Sequence, residues 1–132
     1  MNDPSISTIT ERTLAGTVSF PEVVAALLAA GVEYYHVDYV GMRQTCYSAA
    51  GAIFALPLGL AMGSPVAPDF DAAALKAAIF DSQNHGQKFA DFSRRAREAG
   101  VQGYYVFLRG QRVTYLGRQG DQHVEWFPGA RP

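Results

Sequence analysis

Two short motifs in this chain bring together side chains that can move protons or hold a metal ion. One is His36-x-Asp38, within "AGVEYYHVDYV"; the other is His123-x-Glu125, within "GDQHVEWF". An imidazole titrates near neutrality and a carboxylate can orient it, so each pair has the makings of an acid–base couple. In an extended strand successive side chains alternate in direction, so a histidine and an acid two residues apart share a face. Brought together, His36, Asp38, His123 and Glu125 would offer two imidazoles and two carboxylates, a donor set suited to Zn²⁺ or Fe²⁺. Apart from that divalent ion no cofactor is expected. A His-x-acid pair on a strand is more usually the mark of a half-exposed face with local pairing, and two such pairs need not converge.

The elements that would position these motifs come from an internal repeat. Shifted by 69 positions, Phe20–Gly51 aligns with Phe89–Gly120 without a gap, with ten identical pairs that include Gly31/Gly100, Tyr35/Tyr104 and Gly51/Gly120. Identity at this level in an ungapped register indicates a duplication. In the first copy "SFPEVVAALLAAG" reads as a helix. Ser19 and Glu22 form a capping box, Pro21 lies in the first turn, Val23, Val24, Leu27 and Leu28 form the apolar stripe, and Gly31 is the stop. "FADFSRRAREAG" repeats the pattern with Phe89, Phe92 and Ala96, ending at Gly100. After each glycine come three strands separated by turns at Gly41 and Gly51, or at Gly110 and Gly120.

A further helix precedes each copy: a clear one in "PDFDAAALKAAIFDSQ", N-capped by Asp71, and a weaker one near residues 5–15. The expected fold is therefore α+β, a helix-helix-three-stranded-meander unit occurring twice with pseudo-twofold character. The expected organisation is one domain, with repeats at about 5–58 and 70–128 joined by a Pro/Gly-rich connector over 57–68.

Strand alternation then sorts the faces. Tyr35, Val37 and Tyr39 match Tyr104, Val106 and Leu108 and belong to the core, leaving His36 and Asp38 on the opposite face of one copy and Tyr105 and Phe107 on that of the other. On the third strand the assignment is exchanged: His123 and Glu125 stand where the first copy has Phe54 and Leu56. The exchange suggests that His36/Asp38 faces His123/Glu125 across the pseudo-axis, and that Tyr105/Phe107 faces Phe54/Leu56. The latter four form a candidate ligand or interaction surface, covered by the other half or by a second copy of the chain. A cleft between the halves would be either open or filled by Phe54, Leu56 and Met62.

Composition narrows the classes. The chain has 132 residues, 48% apolar and 17% charged, with one cysteine and a net charge of −1. Such a chain buries a real core without disulfide staples, and a lone cysteine suits a reducing, cytoplasmic setting. Cys46 aligns with Tyr115 and reads as a buried thiol, and His85 lies in a polar turn. The near-neutral charge argues against a nucleic-acid partner, although basic residues gather in the second half, where Arg94, Arg95 and Arg97 read as a solvated helix face. The opening residues lack the basic-then-apolar pattern of a signal peptide, and the most apolar run, "AIFALPLGLAMGSPVAP", is too broken by Pro and Gly to span a bilayer. No G-x-S-x-G elbow, phosphate loop, dinucleotide fingerprint or paired-cysteine zinc spacing occurs.

The stretches "SFPEVVAALLAAGVEYYHVDYV", "FDAAALKAAI" and "GYYVFLRGQRVTYLGRQGDQHVEWFP" together resemble the YbcV-like proteins, a bacterial and prophage-encoded family of unknown function sometimes labelled phage envelope proteins. The resemblance covers residues 17–128 and implies a bacterial, prophage-associated origin. It brings no catalytic residues, and "AGAIFALPL" departs from the polar ending of the second copy. Three functions remain open. The leading expectation is a non-catalytic interaction or regulatory module whose partner is a second copy of the chain, an unidentified protein or a small molecule. The others are a small-molecule binder with a groove between the repeats, and a metal-dependent enzyme using His36, Asp38, His123 and Glu125.

Overall fold

The computed structural model describes residues 1–60, 63 and 65–130. Helix boundaries follow capping chemistry. Helix α1 (Asp3–Ala15) starts two residues before the expected start near residue 5, because the Asn2 side chain accepts from the Ser5 N–H at 3.2 Å and Pro4 fits the first turn. Helix α2 (Phe20–Ala29) carries the reciprocal capping box between Ser19 and Glu22. Asp71 caps α3 (Ala72–Asn84) through the Ala74 N–H. Helix α4 (Phe89–Glu98) has no side-chain cap and is held from the side, where Arg95 on α4 donates to Asp81 at 2.6 Å and to Gln87 at 2.7 Å. That pair ties α4 to α3.

The strands are β1 (Val32–Asp38), β2 (Arg43–Ser48), β3 (Ile53–Pro57), β4 (Val101–Phe107), β5 (Arg112–Gly117) and β6 (Gln122–Trp126). They form one antiparallel sheet in the order β3-β2-β1-β4-β5-β6. The fold is thus α+β, with the unit of two helices and a three-stranded meander occurring twice. The meanders join edge to edge through β1 and β4, where His36 lies directly opposite Tyr105. Those two residues are 69 apart, the repeat offset, so the pseudo-twofold axis passes between them.

One face of the sheet carries the core. Tyr35, Val37, Tyr104, Val106, Cys46, Val113 and Tyr115 are buried there, against Leu27 of α2, Leu75 and Ile79 of α3, and Phe92 and Ala96 of α4. Phe92 meets the rings of Tyr104 and Tyr115, and the Tyr39 hydroxyl donates to Ser93 at 3.0 Å. Leu28 is exposed, so the apolar stripe of α2 narrows to Val23 and Leu27. Arg97 is a correction: the sequence placed it on a solvated face, but it is buried, with its guanidinium 6.0 Å from the centre of the Tyr39 ring. Its aliphatic stem makes that burial tolerable, and the ring face receives the charge.

The turn at Gly100 has no room for a side chain. Its φ is +88°, and a Cβ there would collide with the Asp69 backbone carbonyl. Gly120 has the same φ with open space around it. Gly120→Ala should therefore cost about 1 kcal/mol from left-handed strain alone, whereas Gly100→Ala should cost on the order of 3 kcal/mol because backbone must move as well. Thermal melts of the two variants check this; equal losses would refute the packing argument.

Candidate functional site

The four residues of the expected metal cluster do not meet. Cross-strand partners share a face, and His36 pairs with Tyr105, while His123 pairs with Tyr115, which pairs with Tyr104, which pairs with Val37. His123 and Glu125 therefore lie on the helix-covered face with Val37, and His36 and Asp38 lie on the other. The physical reason is the mode of joining: edge-to-edge pairing keeps the two meanders in one sheet, so neither faces the other. Tyr105 and Phe107 are separated from Phe54 and Leu56 in the same way, since Phe54 and Leu56 pack on the core side. Met62, the third residue expected to fill a cleft, lies outside the described residues.

Each motif has a local role instead. The Asp38 carboxylate accepts from the Val40 and Gly41 N–H groups, both at 2.9 Å, and so closes the β1–β2 turn. The His36 ring stacks on Tyr105 at 4.4 Å and leans over Gly103. Burial lowers the His36 pKa, only partly offset by Asp38, so the imidazole is neutral at pH 7. His123 Nε2 lies 3.0 Å from Glu125 Oε1, and the pair sits at the sheet edge. Among the described residues no group of three or more His, Cys, Asp or Glu side chains is placed to hold a metal ion. Cys46 is buried, and burial pushes its thiol pKa up, away from nucleophile chemistry.

What the fold does bring together is a cavity of about 670 Å³ between the helices and the sheet, lined from both repeats. Its walls are mainly apolar: Val23 and Leu27 from α2, Ile79 from α3, Phe92 from α4, and Val106 and Val113 from the sheet. The polar groups are few. Tyr35, Tyr104 and Tyr115 border it from the floor, Gln44 and Thr10 from deeper in, and Glu125 from the edge strand. Among the described residues Thr10 Oγ1 is buried with no hydrogen-bond partner, and the buried Gln44 amide donates to the Cys46 sulfur at 3.7 Å. A buried polar atom left unpaired costs about 1–3 kcal/mol, so such atoms beside a cavity mark a place where an incoming group would be welcome. Phe20, Gly86, Lys88 and Pro128 border the same cavity among exposed residues, at the side where it reaches solvent.

Sequence reasoning counted Tyr35 and Tyr104 as core and passed over Thr10 and Gln44. The signal for the tyrosines was present: two identical phenols at matched inward positions bring hydroxyls that a purely structural core does not need. No family model matches the chain, and no curated protein is detectably similar to it.

Burial raises the pKa of Tyr35, Tyr39, Tyr104 and Tyr115 well above the ordinary value of 10. A phenol that ionises later folded than unfolded contributes stability that is intact below pH 10 and is lost as pH rises beyond it. In an ultraviolet titration of the seven tyrosines, these four should stay protonated until the protein unfolds in alkali, then ionise together. Independent titration of all seven near pH 10 in the folded state would contradict the burial.

Proposed function

We propose that the protein binds a small, largely apolar molecule in the cavity between its two repeats, the groove-binding alternative among the three sequence readings. The observation that carries this is the roughly 670 Å³ cavity lined from both repeats, mainly by apolar side chains, with Tyr35, Tyr104 and Tyr115 at its floor. That volume falls within the range of about 300–1,000 Å³ usual for small-molecule sites, where an apolar lining supplies affinity and a few polar groups fix orientation. The ligand class follows from the lining: an aromatic or branched aliphatic body with one or two hydroxyl, carbonyl or carboxyl groups. The neutral phenols of Tyr35 and Tyr115 would donate to an oxygen, and Thr10 and Gln44 would pair with a second polar group. Kinship with the YbcV-like proteins is part of this proposal and rests on the repeated motifs alone. A bacterial, cytoplasmic setting goes with it, supported by the single reduced cysteine.

The test is a set of thermal melts against aromatic and aliphatic alcohols, aldehydes and acids, run on the wild type, Thr10→Val and the cavity-filling Val23→Phe. A ligand bound only by the native state at a hundred times its Kd stabilises by about 2.7 kcal/mol, which in a chain of this size is a rise on the order of 10 °C. Thr10→Val should raise the unliganded midpoint, because it removes an unpaired buried hydroxyl, yet weaken a polar ligand about tenfold. Val23→Phe should lose the shift. No shift from any compound in the wild type, or a shift unchanged in Val23→Phe, would overturn the reading.

A further inference from the structure

The face of the sheet turned away from the helices resolves into three transverse rows, read directly from the strand register. The first runs Ile53–Tyr47–Tyr34–Phe107–Arg112–Trp126 across all six strands. The second runs Ala55–Thr45–His36–Tyr105–Thr114–Val124, and the third Pro57–Arg43–Asp38–Gly103–Leu116–Gln122. The first row is a near-continuous aromatic ladder. Tyr47 stacks on Tyr34 at 4.6 Å, Tyr34 on Phe107 at 6.0 Å, and the Arg112 guanidinium lies 4.6 Å from the centre of the Trp126 ring. At one end of the first row Ile53 is 65% exposed, and at one end of the second row Val124 is 42% exposed.

We propose that this face is covered by the same face of a second copy, giving a twofold dimer in which two sheets pack as a sandwich. Its size fits. Six strands about 4.8 Å apart and three rows about 6.7 Å apart span about 29 Å by about 20 Å, or about 600 Å² in projection. Side-chain relief carries that toward the ~800 Å² per partner of a standard interface. Its composition fits as well: the rings of Tyr34, Tyr105 and Phe107 lie on the two central strands, and Arg43 and Arg112 lie on the strands beside them.

Self-complementarity supplies the decisive argument. A twofold axis parallel to the strands between β1 and β4 lays each row against its own reverse. In the first row Ile53 then meets Trp126, Tyr34 meets Phe107, and Arg112 meets the ring of Tyr47. In the second, Ala55 meets Val124, Thr45 meets Thr114, and His36 meets Tyr105. In the third, Asp38 meets Gly103 and Arg43 meets Leu116. No like charges oppose one another in any row. Both exposed apolar residues at the sheet edges find apolar partners, and Arg112 finds a second ring face. A single-stranded nucleic acid could also stack on the ladder, but a chain of net charge −1 with two arginines and an aspartate on this face offers the phosphates little.

Sedimentation equilibrium between about 1 and 100 µM checks the proposal, with the expected mass twice the 14.3 kDa chain. Two variants at one position fix the register. Tyr47→Arg puts like charges opposite Arg112 of the second copy and should weaken the dimer at least tenfold. Tyr47→Glu loses the same stacking on Tyr34 but gains an ion pair, and should remain dimeric. Circular dichroism confirms that both are folded, and Ile53→Asp, at the exposed end of the row, serves as a second disrupting change if Tyr47→Arg does not fold. A monomeric wild type at 100 µM, equal behaviour of the two Tyr47 variants, or wild-type protein that binds a poly-uridine oligonucleotide through this face would overturn it.

Discussion

The antiparallel pairing of β1 with β4 is the constraint on which the rest of the structure depends. A three-stranded meander ends in two open edges, each a row of unpaired N–H and C=O groups that invites further pairing. Here the first strand of each repeat satisfies the first strand of the other, and two marginal meanders become one six-stranded sheet. The register places His36 against its own repeat counterpart, Tyr105, so the two rings compete for the space on the pseudo-axis. They resolve it by stacking, and His36 leans over position 103, where only glycine fits. A Cβ there would meet the His36 ring and the Val37 carbonyl. The repeat is therefore symmetric in backbone and necessarily asymmetric in side chains. Tyr34, the counterpart of Gly103, can be large because Phe107 stacks beside it, and so one end of the open face is aromatic and the other small and polar.

The same pairing accounts for the cavity. Each helix pair belongs to one repeat, and α3 and α4 are locked together by Arg95, Asp81 and Gln87. Widening the sheet to six strands sets the two pairs side by side over a surface that neither covers alone. The cavity lies along the seam between them, lined by Thr10 on α1, Val23 and Leu27 on α2, Ile79 on α3 and Phe92 on α4. Interiors are otherwise close-packed, so a cavity of this size, open to solvent at one side, at a seam between duplicated units follows from the joining of the repeats.

Much of this was legible in the residues. The duplication, the capping box at Ser19, the cap at Asp71, the six strands and their turns, and the inward positions of Tyr35, Val37, Tyr104 and Val106 all follow from local chemistry and period-two alternation. The partner of each meander was not legible, because edge pairing is made by backbone groups that every sequence carries. Reading the exchanged His-x-acid pairs as facing one another assumed two layers where there is one, and that single choice misplaced His36, Asp38, His123 and Glu125 relative to each other. The first helix looked weak because its apolar residues are few; Asn2 and Pro4 compensate at its start. Thr10 and Gln44 gave no signal, since a polar residue on an apolar face becomes informative only once the space beside it is known.

Divergence between the copies acts on opposite faces, and this separates the two proposed roles. On the helix side the first repeat keeps Phe54 and Leu56, which pack into the core, while the second has His123 and Glu125. A carboxylate at 125 cannot fill apolar space as Leu56 does without losing its hydration, so it stays at the cavity border, paired with His123 at 3.0 Å. Polarising one inward strand thus leaves room in one half of the core that the other half closes. On the open side the change runs the other way: the second repeat carries Tyr105 and Phe107 where the first has His36 and Asp38. Because neighbouring residues on a strand point to opposite faces, substitutions on one side leave the other intact. A duplicated sheet can in this way acquire a ligand chamber beneath it and a self-complementary surface above it, each shaped without disturbing the other.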